Sequence, residues 1–277
     1  MGLLDRGIQI KTPEQIEGMR RAGLVVGQTL ELLRSAVRTG VSTRELDVIA
    51  EDNIRSSGAT PSFQGYHGFP ASICASVNDE VVHGIPGERV LAEGDVISID
   101  CGAIVDGWHG DAAITVAVGD VPAEITALME ATEEALWRCI SAARLGGRVT
   151  DISHAVETYV RSQAHPADGS YGILEDYVGH GIGSAMHQPP NVPNYGRPGR
   201  GPKLVRGLAL AVEPMLTLGS NQTTLLPDEW TVGTVDGSWS AHYEHTFTLT
   251  PDGAWVLTAL DGGESRLAGL GVPFGGH

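Results

Sequence analysis

The sequence predicts an α+β fold built from two similar halves that share one antiparallel sheet, with helices on one face and a functional site on the other. Three observations predict it. Helix-start signals come in pairs, two helical segments repeat at a constant spacing, and each half carries an apolar strand that runs into a carboxylate.

Thr12-Pro13-Glu14-Gln15 is a capping box with Pro at the first helical position, and it opens an amphipathic helix to about Arg38. Ser42-Thr43-Arg44-Glu45 is a second capping box, opening a helix to about Ser56. Pro122-Ala123-Glu124 opens another long segment that ends near Gly146, and Thr150-Asp151 start a fourth helix to about Gln163. IAEDNIRSS from Ile49 and AVETYVRSQ from Ala155 match at an offset of 106. Leu46 then aligns with Ile152, Glu51 with Glu157, and Arg55 with Arg161. Gly40 and Gly146 share the offset, each where a left-handed helix cap suits Gly.

The likeness continues with drifting offsets. His83-Gly84-Ile85-Pro86 parallels His187-Gln188-Pro189-Pro190. GDVISIDCG from Gly94 parallels GLALAVEPM from Gly207, setting Asp100 against Glu213. His109-Gly110-Asp111 parallels His242-Tyr243-Glu244, and each runs into a strand. The halves span roughly 10–120 and 121–260 of a single domain covering 1–277, because no linker separates them. A short arm precedes the first helix, and the Gly-rich tail after about Leu260 is expected to be weakly ordered.

Composition narrows the function. Apolar residues at 42% are ordinary for a chain with a buried core, and 19% charged is too few for a disordered one. A net charge of −16 opposes general binding to DNA or to a membrane surface. Arg197, Arg200, Lys203 and Arg206 form a local basic run, read as a solvated loop in preference to a nucleic-acid contact. Cys74, Cys101 and Cys139 are odd in number and lack CxxC spacing, so reduced cytoplasmic thiols fit best. The start MGLLDRGIQI lacks a signal-peptide apolar run, and Arg6 argues against myristoylation of Gly2. Leu208 to Leu218 is too short to cross a bilayer and contains Glu213.

The chemistry lies at the acidic strand ends. Asp100 ends Val96-Ile97-Ser98-Ile99, Glu213 ends Ala209-Leu210-Ala211-Val212, and Asp111 and Glu244 start the strands that follow. A buried carboxylate without a partner is costly, and neither strand run holds a Lys or Arg. Four carboxylates converging on a pseudo-twofold axis therefore call for metal cations. His180, in Gly179-His180-Gly181, adds a nitrogen donor, and the mixed set suits Mn, Fe, Co or Zn over Ca or Mg. Bridging carboxylates imply two ions that activate a water. His83 and His187, a second symmetric pair, suit hydrogen bonds to a substrate amide and to an oxyanion. Any one of these residues alone reads as a turn or loop residue; the constellation does not.

The segments YHGFPASICASVNDEVVHGIP, GDVISIDCGAIVDGWHGDAAIT, GHGIGSAMHQPPNVPNYG, VEPM, DEWTV and HYEHT resemble the type I methionine aminopeptidase family, of pita-bread fold. The resemblance spans about Tyr66 to Phe247, and the earlier helices fit it. It implies a metallo-aminopeptidase that removes the initiator methionine from nascent chains when the second residue is small. In that reading Asp111 and Glu244 bridge two divalent ions, Asp100 chelates one, and His180 and Glu213 complete the other. Glu213 is also general base for the attacking water, His83 bonds the scissile amide, and His187 its carbonyl oxygen. Phe63, Tyr66, Phe69, Cys74, Met186 and Trp230 match the wall of the methionine pocket. Phe63, Met186 and Gln188 stand where many members carry Cys, Phe and Glu, which puts pocket shape and inhibitor preference in question, not the reaction.

His180 and Glu213 are 33 positions apart, which leaves no room for the helical insertion of type II enzymes, and no N-terminal Cys/His zinc region is present. The chain thus resembles a bacterial short form, and its own Met1-Gly2 start is of the kind such an enzyme accepts. The resemblance implies nascent N-termini as partners and a transient ribosome contact, and a single compact domain makes a monomer the default expectation. Two rivals stand beside it: a prolidase or aminopeptidase P of the same fold, and a catalytically silent ribosome-associated binding module. Only 99 residues precede Asp100, few for the extra domain of the first, and all five ligands are retained, unlike most examples of the second.

Overall fold

The computed structural model describes residues 7–166 and 169–277, so the Met1-Gly2 start lies outside the described residues. Five α-helices lie among the described residues: α1 (Pro13–Ala36), α2 (Thr43–Ser56), α3 (Ala123–Ala142), α4 (Val149–Ser162) and α5 (Glu264–Gly269). Both capping boxes form. Thr12 N donates to Gln15 Oε1 at 2.9 Å, and Ser42 N donates to Glu45 Oε2 at 2.8 Å. The offset of 106 carries both ends of α2 onto those of α4, and the end of α1 onto that of α3. Gly40 and Gly146 are left-handed as expected, with φ of 91° and 87°. They stand four residues beyond Ala36 and Ala142, however, turning the chain into the next helix and not capping the previous one.

The strands, in chain order, are β1 (Thr60–Pro61), β2 (Ile73–Val77), β3 (Glu80–Val82), β4 (Val96–Val105), β5 (Trp108–Ala117), β6 (Gly172–Ile173), β7 (Gly179–Gly181) and β8 (Gln188–Val192). They continue as β9 (Ala209–Val212), β10 (Met215–Thr217), β11 (Thr223–Leu225), β12 (Val232–Thr234), β13 (Ser240–His242), β14 (Glu244–Leu249) and β15 (Ala254–Val256). The main sheet runs β1-β4-β5-β14-β9-β7-β8, with β2 beside β4 and β15 beside β14. Every pairing in it is antiparallel. Outward from the β5–β14 junction the order is β4 then β2 on one side, and β9 then β7 on the other, so the pseudo-twofold passes between β5 and β14. Two three-stranded sheets, β13-β10-β6 and β11-β12-β3, flank it.

Helices α1 and α3 pack on this sheet, and one core fills the space between. Val26, Leu30 and Leu33 of α1 are buried there, each worth about 1.5–3 kcal/mol. The close approach of α1 to β5 depends on two glycines: a Cβ on Gly110 would lie 2.7 Å from the nitrogen of Gly23. Gly110 therefore faces the helices, and strand alternation turns Asp111 to the opposite face. On β14, His245 meets Trp137 of α3 with ring centroids 5.2 Å apart, and Glu244 points the other way.

Two further expectations are corrected. Asp100 and Asp111 lie inside β4 and β5, not at strand ends, because Cys101-Gly102-Ala103 continues the strand and the hairpin turns only at Asp106-Gly107. The tail after Leu260 is ordered. Gly262 and Gly263, with φ of 72° and 86°, turn the chain into α5, whose Leu267 is fully buried. Gly275 N then donates to Ala254 O at 2.8 Å beside β15. The tail glycines serve close backbone packing there; a Cβ on Gly275 would stand 2.3 Å from Gly253 O.

Candidate metal centre

Strand register assembles the centre. Ala113 of β5 is directly opposite Asp100 on β4 and Glu244 on β14, so these three share one row and one face. Asp111 is two residues before Ala113 and points to the same side. On the other half, His180 of β7 lies opposite Ala211 of β9, and Glu213 is two residues beyond Ala211. Five donors thus reach one face from five neighbouring strands or their ends. Thr246 holds the Asp111 peptide: its hydroxyl donates to Asp111 O at 2.8 Å and accepts from Asp111 N at 3.2 Å.

The glycines around His180 permit this packing. A Cβ on Gly179 would stand 2.5 Å from Ala211 O, and one on Gly181 2.2 Å from Pro189 O. His180 Nδ1 donates to the Gly181 carbonyl at 3.0 Å, so in the neutral ring Nε2 is a bare lone pair. That lone pair faces Glu213 Oε1 at 3.7 Å and Asp111 Oδ2 at 3.9 Å.

Electrostatics makes the cluster unfavourable as it stands. Burial pushes Asp100 up to about 7. Asp111 is raised well above the usual carboxylate range by burial, then by the charges of Glu244 and Asp100. Glu213 and Glu244 are raised in the same way, by burial first and by neighbouring carboxylates next. Burial lowers His180 to about 3, so it offers no compensating charge. No Lys or Arg among the described residues lines the cavity. Asp100 Oδ1, Asp111 Oδ1 and Glu244 Oε1 are buried without a hydrogen-bond partner. Orphaned acceptors of this kind need explanation, and Asp111, His180 and Glu244 offer ligand atoms within 4.8 Å of one another. The donor set fits a divalent metal.

The five donors floor a cavity of about 360 Å³, within the range of small-molecule sites. Phe63, Tyr66, Phe69, Cys74, Met186 and Trp230 all line it, and Phe69 and Trp230 meet edge to face at 5.1 Å. His83 and His187 line it too. His83 follows β3 with a left-handed φ of 61°, a conformation that non-glycine residues adopt at a cost and that clusters at functional sites. Burial lowers it to about 4, so it works as a neutral ring. His187 Nδ1 is 2.8 Å from the Tyr66 hydroxyl, and its ring meets His180 at 4.3 Å between centroids. Gln188 Nε2 donates to Gln9 Oε1 at 3.0 Å, tying the segment that carries His187 to the N-terminal arm. The four basic residues of the 197–206 run are exposed, away from the cavity.

Every candidate ligand, catalytic and pocket-wall residue from the sequence therefore lines this one cavity. Three more were not singled out: His67 and Val82, which line the cavity, and His242, which faces Glu213 and Glu244. For His242 a signal existed, since a residue two positions before a ligand on an extended segment points to the same side.

Comparison with known proteins gives a consistent result. The model of metallopeptidase family M24 matches residues 17–251. A methionine aminopeptidase of Clostridium acetobutylicum is 52% identical over 255 residues, 92% of this chain and 100% of that one. Methionine aminopeptidase 1 of Mycobacterium tuberculosis is 54% identical over 254 residues, 91% of this chain and 96% of that one. The crystal structure of methionine aminopeptidase from Thermotoga maritima superposes with a TM-score of 0.87 at 39% identity, covering 91% of this chain and 99% of that one.

Proposed function

The chain belongs to metallopeptidase family M24, and from that premise we propose that it is a methionine aminopeptidase acting on nascent polypeptides whose second residue is small. One observation carries the reading: the five-donor cluster floors the same apolar cavity that presents His83 and His187. Relatives about half identical over nearly their whole length are methionine aminopeptidases, which favours this over a prolidase or a silent binding module.

Asp100, Asp111, His180, Glu213 and Glu244 would hold two divalent ions, with Asp111 and Glu244 shared, and the donor set suits Co, Mn, Fe or Zn. Bound there, such ions supply Lewis acidity that favours ionised water and polarises the scissile carbonyl. Phe69, Cys74, Met186 and Trp230 take the methionine side chain out of water. Glu213 takes the proton of the attacking water and returns it to the leaving amine. The Tyr66 hydroxyl lies 2.8 Å from His187 Nδ1; with that hydroxyl as donor, the ring proton would sit on Nε2 for the carbonyl oxygen as charge develops. His83, fixed by its left-handed backbone, bonds the scissile amide. The halves act as one catalytic domain. The protein works as a cytoplasmic monomer that meets nascent chains at the ribosome.

A side-by-side assay of Met-Gly-Met and Xaa-Pro peptides with metal-loaded protein tests this. Cleavage of the methionyl peptide is expected; cleavage of the prolyl peptides alone would overturn it. No peptidase activity, with partner binding intact in Glu213→Ala, would establish the binding module.

A further inference from the structure

His242 ends β13, two residues before Glu244, and its position is fixed by the backbone. The Thr115 hydroxyl donates to His242 O at 2.7 Å and accepts from His242 N at 2.9 Å, and Ser98 Oγ lies 2.9 Å from the same hydroxyl. The residue is 1% exposed, and Nε2 has no hydrogen-bond partner. Its polar neighbours are Glu244 Oε2 at 3.8 Å and Glu213 Oε2 at 3.9 Å. Those separations are too long for hydrogen bonds. The three ligand atoms of Glu213, His242 and Glu244 nevertheless lie within 4.8 Å of one another.

An orphaned buried nitrogen facing two carboxylates at this range has the spacing of ligands around an ion. Donors about 2.1 Å from one cation stand roughly 3.0–3.4 Å apart, so shifts of less than about 1 Å would close the set. The pseudo-symmetric histidine behaves otherwise. His109 Nδ1 is 3.0 Å from Ser62 Oγ, and among the described residues that ring joins no cluster of potential ligand atoms with the carboxylates. The likeness of HGD and HYE in sequence thus hides a difference in which ring is free to bind.

Resting on the reading of this centre as a metal site, we propose that His242 is a sixth protein ligand, its Nε2 binding the ion held by Glu213 and Glu244. The centre then carries two imidazole nitrogens, and its preference moves further from Mg and toward Co, Fe, Mn or Zn.

Proton NMR of the Co(II)-loaded protein in water tests the proposal independently of turnover. A ligating histidine gives a strongly shifted, solvent-exchangeable ring N–H signal. Two such signals are expected, from His180 and His242. His242→Gln should lose one of them and weaken Co(II) binding by at least about tenfold in titration calorimetry. His242→Asn serves if the Gln variant folds poorly, and the wild-type spectrum alone counts the rings. One shifted N–H in wild type, unchanged in His242→Gln, would overturn the sixth ligand while leaving the metal centre standing. Failure of wild type to bind Co(II) would overturn both.

Discussion

Gly181→Ala should separate His180 from His187 without touching a donor atom. The added Cβ would lie 2.2 Å from Pro189 O, 2.7 Å from Pro189 C and 3.0 Å from Gln188 O, all backbone atoms, where ordinary contact begins at 3.4 Å. Strands β7 and β8 must therefore part by roughly 1 Å. His180 lies on β7 and His187 immediately precedes β8, so both rings move relative to the carboxylates on β4, β5 and β14. A misplacement of about 1 Å costs on the order of 100-fold in rate, and overpacking costs about 1–3 kcal/mol in stability. The assay is kcat/KM on a methionyl tripeptide, with metal content and thermal unfolding measured on the same preparations. Gly269→Ala is the control: it ends α5 with nothing within 4 Å of its Cβ, and its kinetics should match wild type. A Gly181→Ala enzyme that is folded and within about threefold of wild type in kcat/KM would refute the claim that β7–β8 contact sets the histidines.

Asp111→Ala and Glu244→Ala should lose metal, whereas His83→Ala should keep it and lose about 10²–10³-fold in kcat; metal loss in His83→Ala contradicts the role given to that ring. Burial lowers Lys11 from 10.5 to about 8, so between those values the unfolded chain holds a proton that the folded chain does not. Stability should therefore rise across that window by about 3 kcal/mol, at about 1.4 kcal/mol per pH unit. Urea unfolding at its two ends, in wild type and Lys11→Met, measures this, and a slope retained in the variant would rule out Lys11 as its source. Phe63 is buried in the apolar wall, and Phe63→Cys should raise KM for methionyl peptides about tenfold with little change in kcat, since it removes contacts made equally in ground and transition states. A fall in kcat alone would place Phe63 in the chemistry instead.

Helix boundaries were legible because caps are local. Thr12 and Ser42 with their Gln15 and Glu45 partners need only four residues to form, and the repeat placed α4 from α2. The carboxylates were legible because an apolar run such as VISID makes an unpaired charge improbable at any depth. Less was legible where distant backbone decides. Asp100 and Asp111 read as strand ends, because nothing local to CGAIV shows whether the strand continues; pairing with β5 continues it. The tail glycines read as disorder, because their use lies in contacts with Gly253 and Trp255.

By itself, then, the sequence determined which side chains carry the charge and which half each belongs to, since composition, caps and two-residue alternation are properties of short segments. Only the tertiary structure decided that Asp100 and Glu244 share a row across Ala113, that His180 points a bare nitrogen at Asp111 and Glu213, and that His242 turns inward while His109 turns to Ser62. The shared row depends on register between β5 and β14, more than 100 residues apart in the chain, and register is set by the sheet as a whole and not by any segment of it.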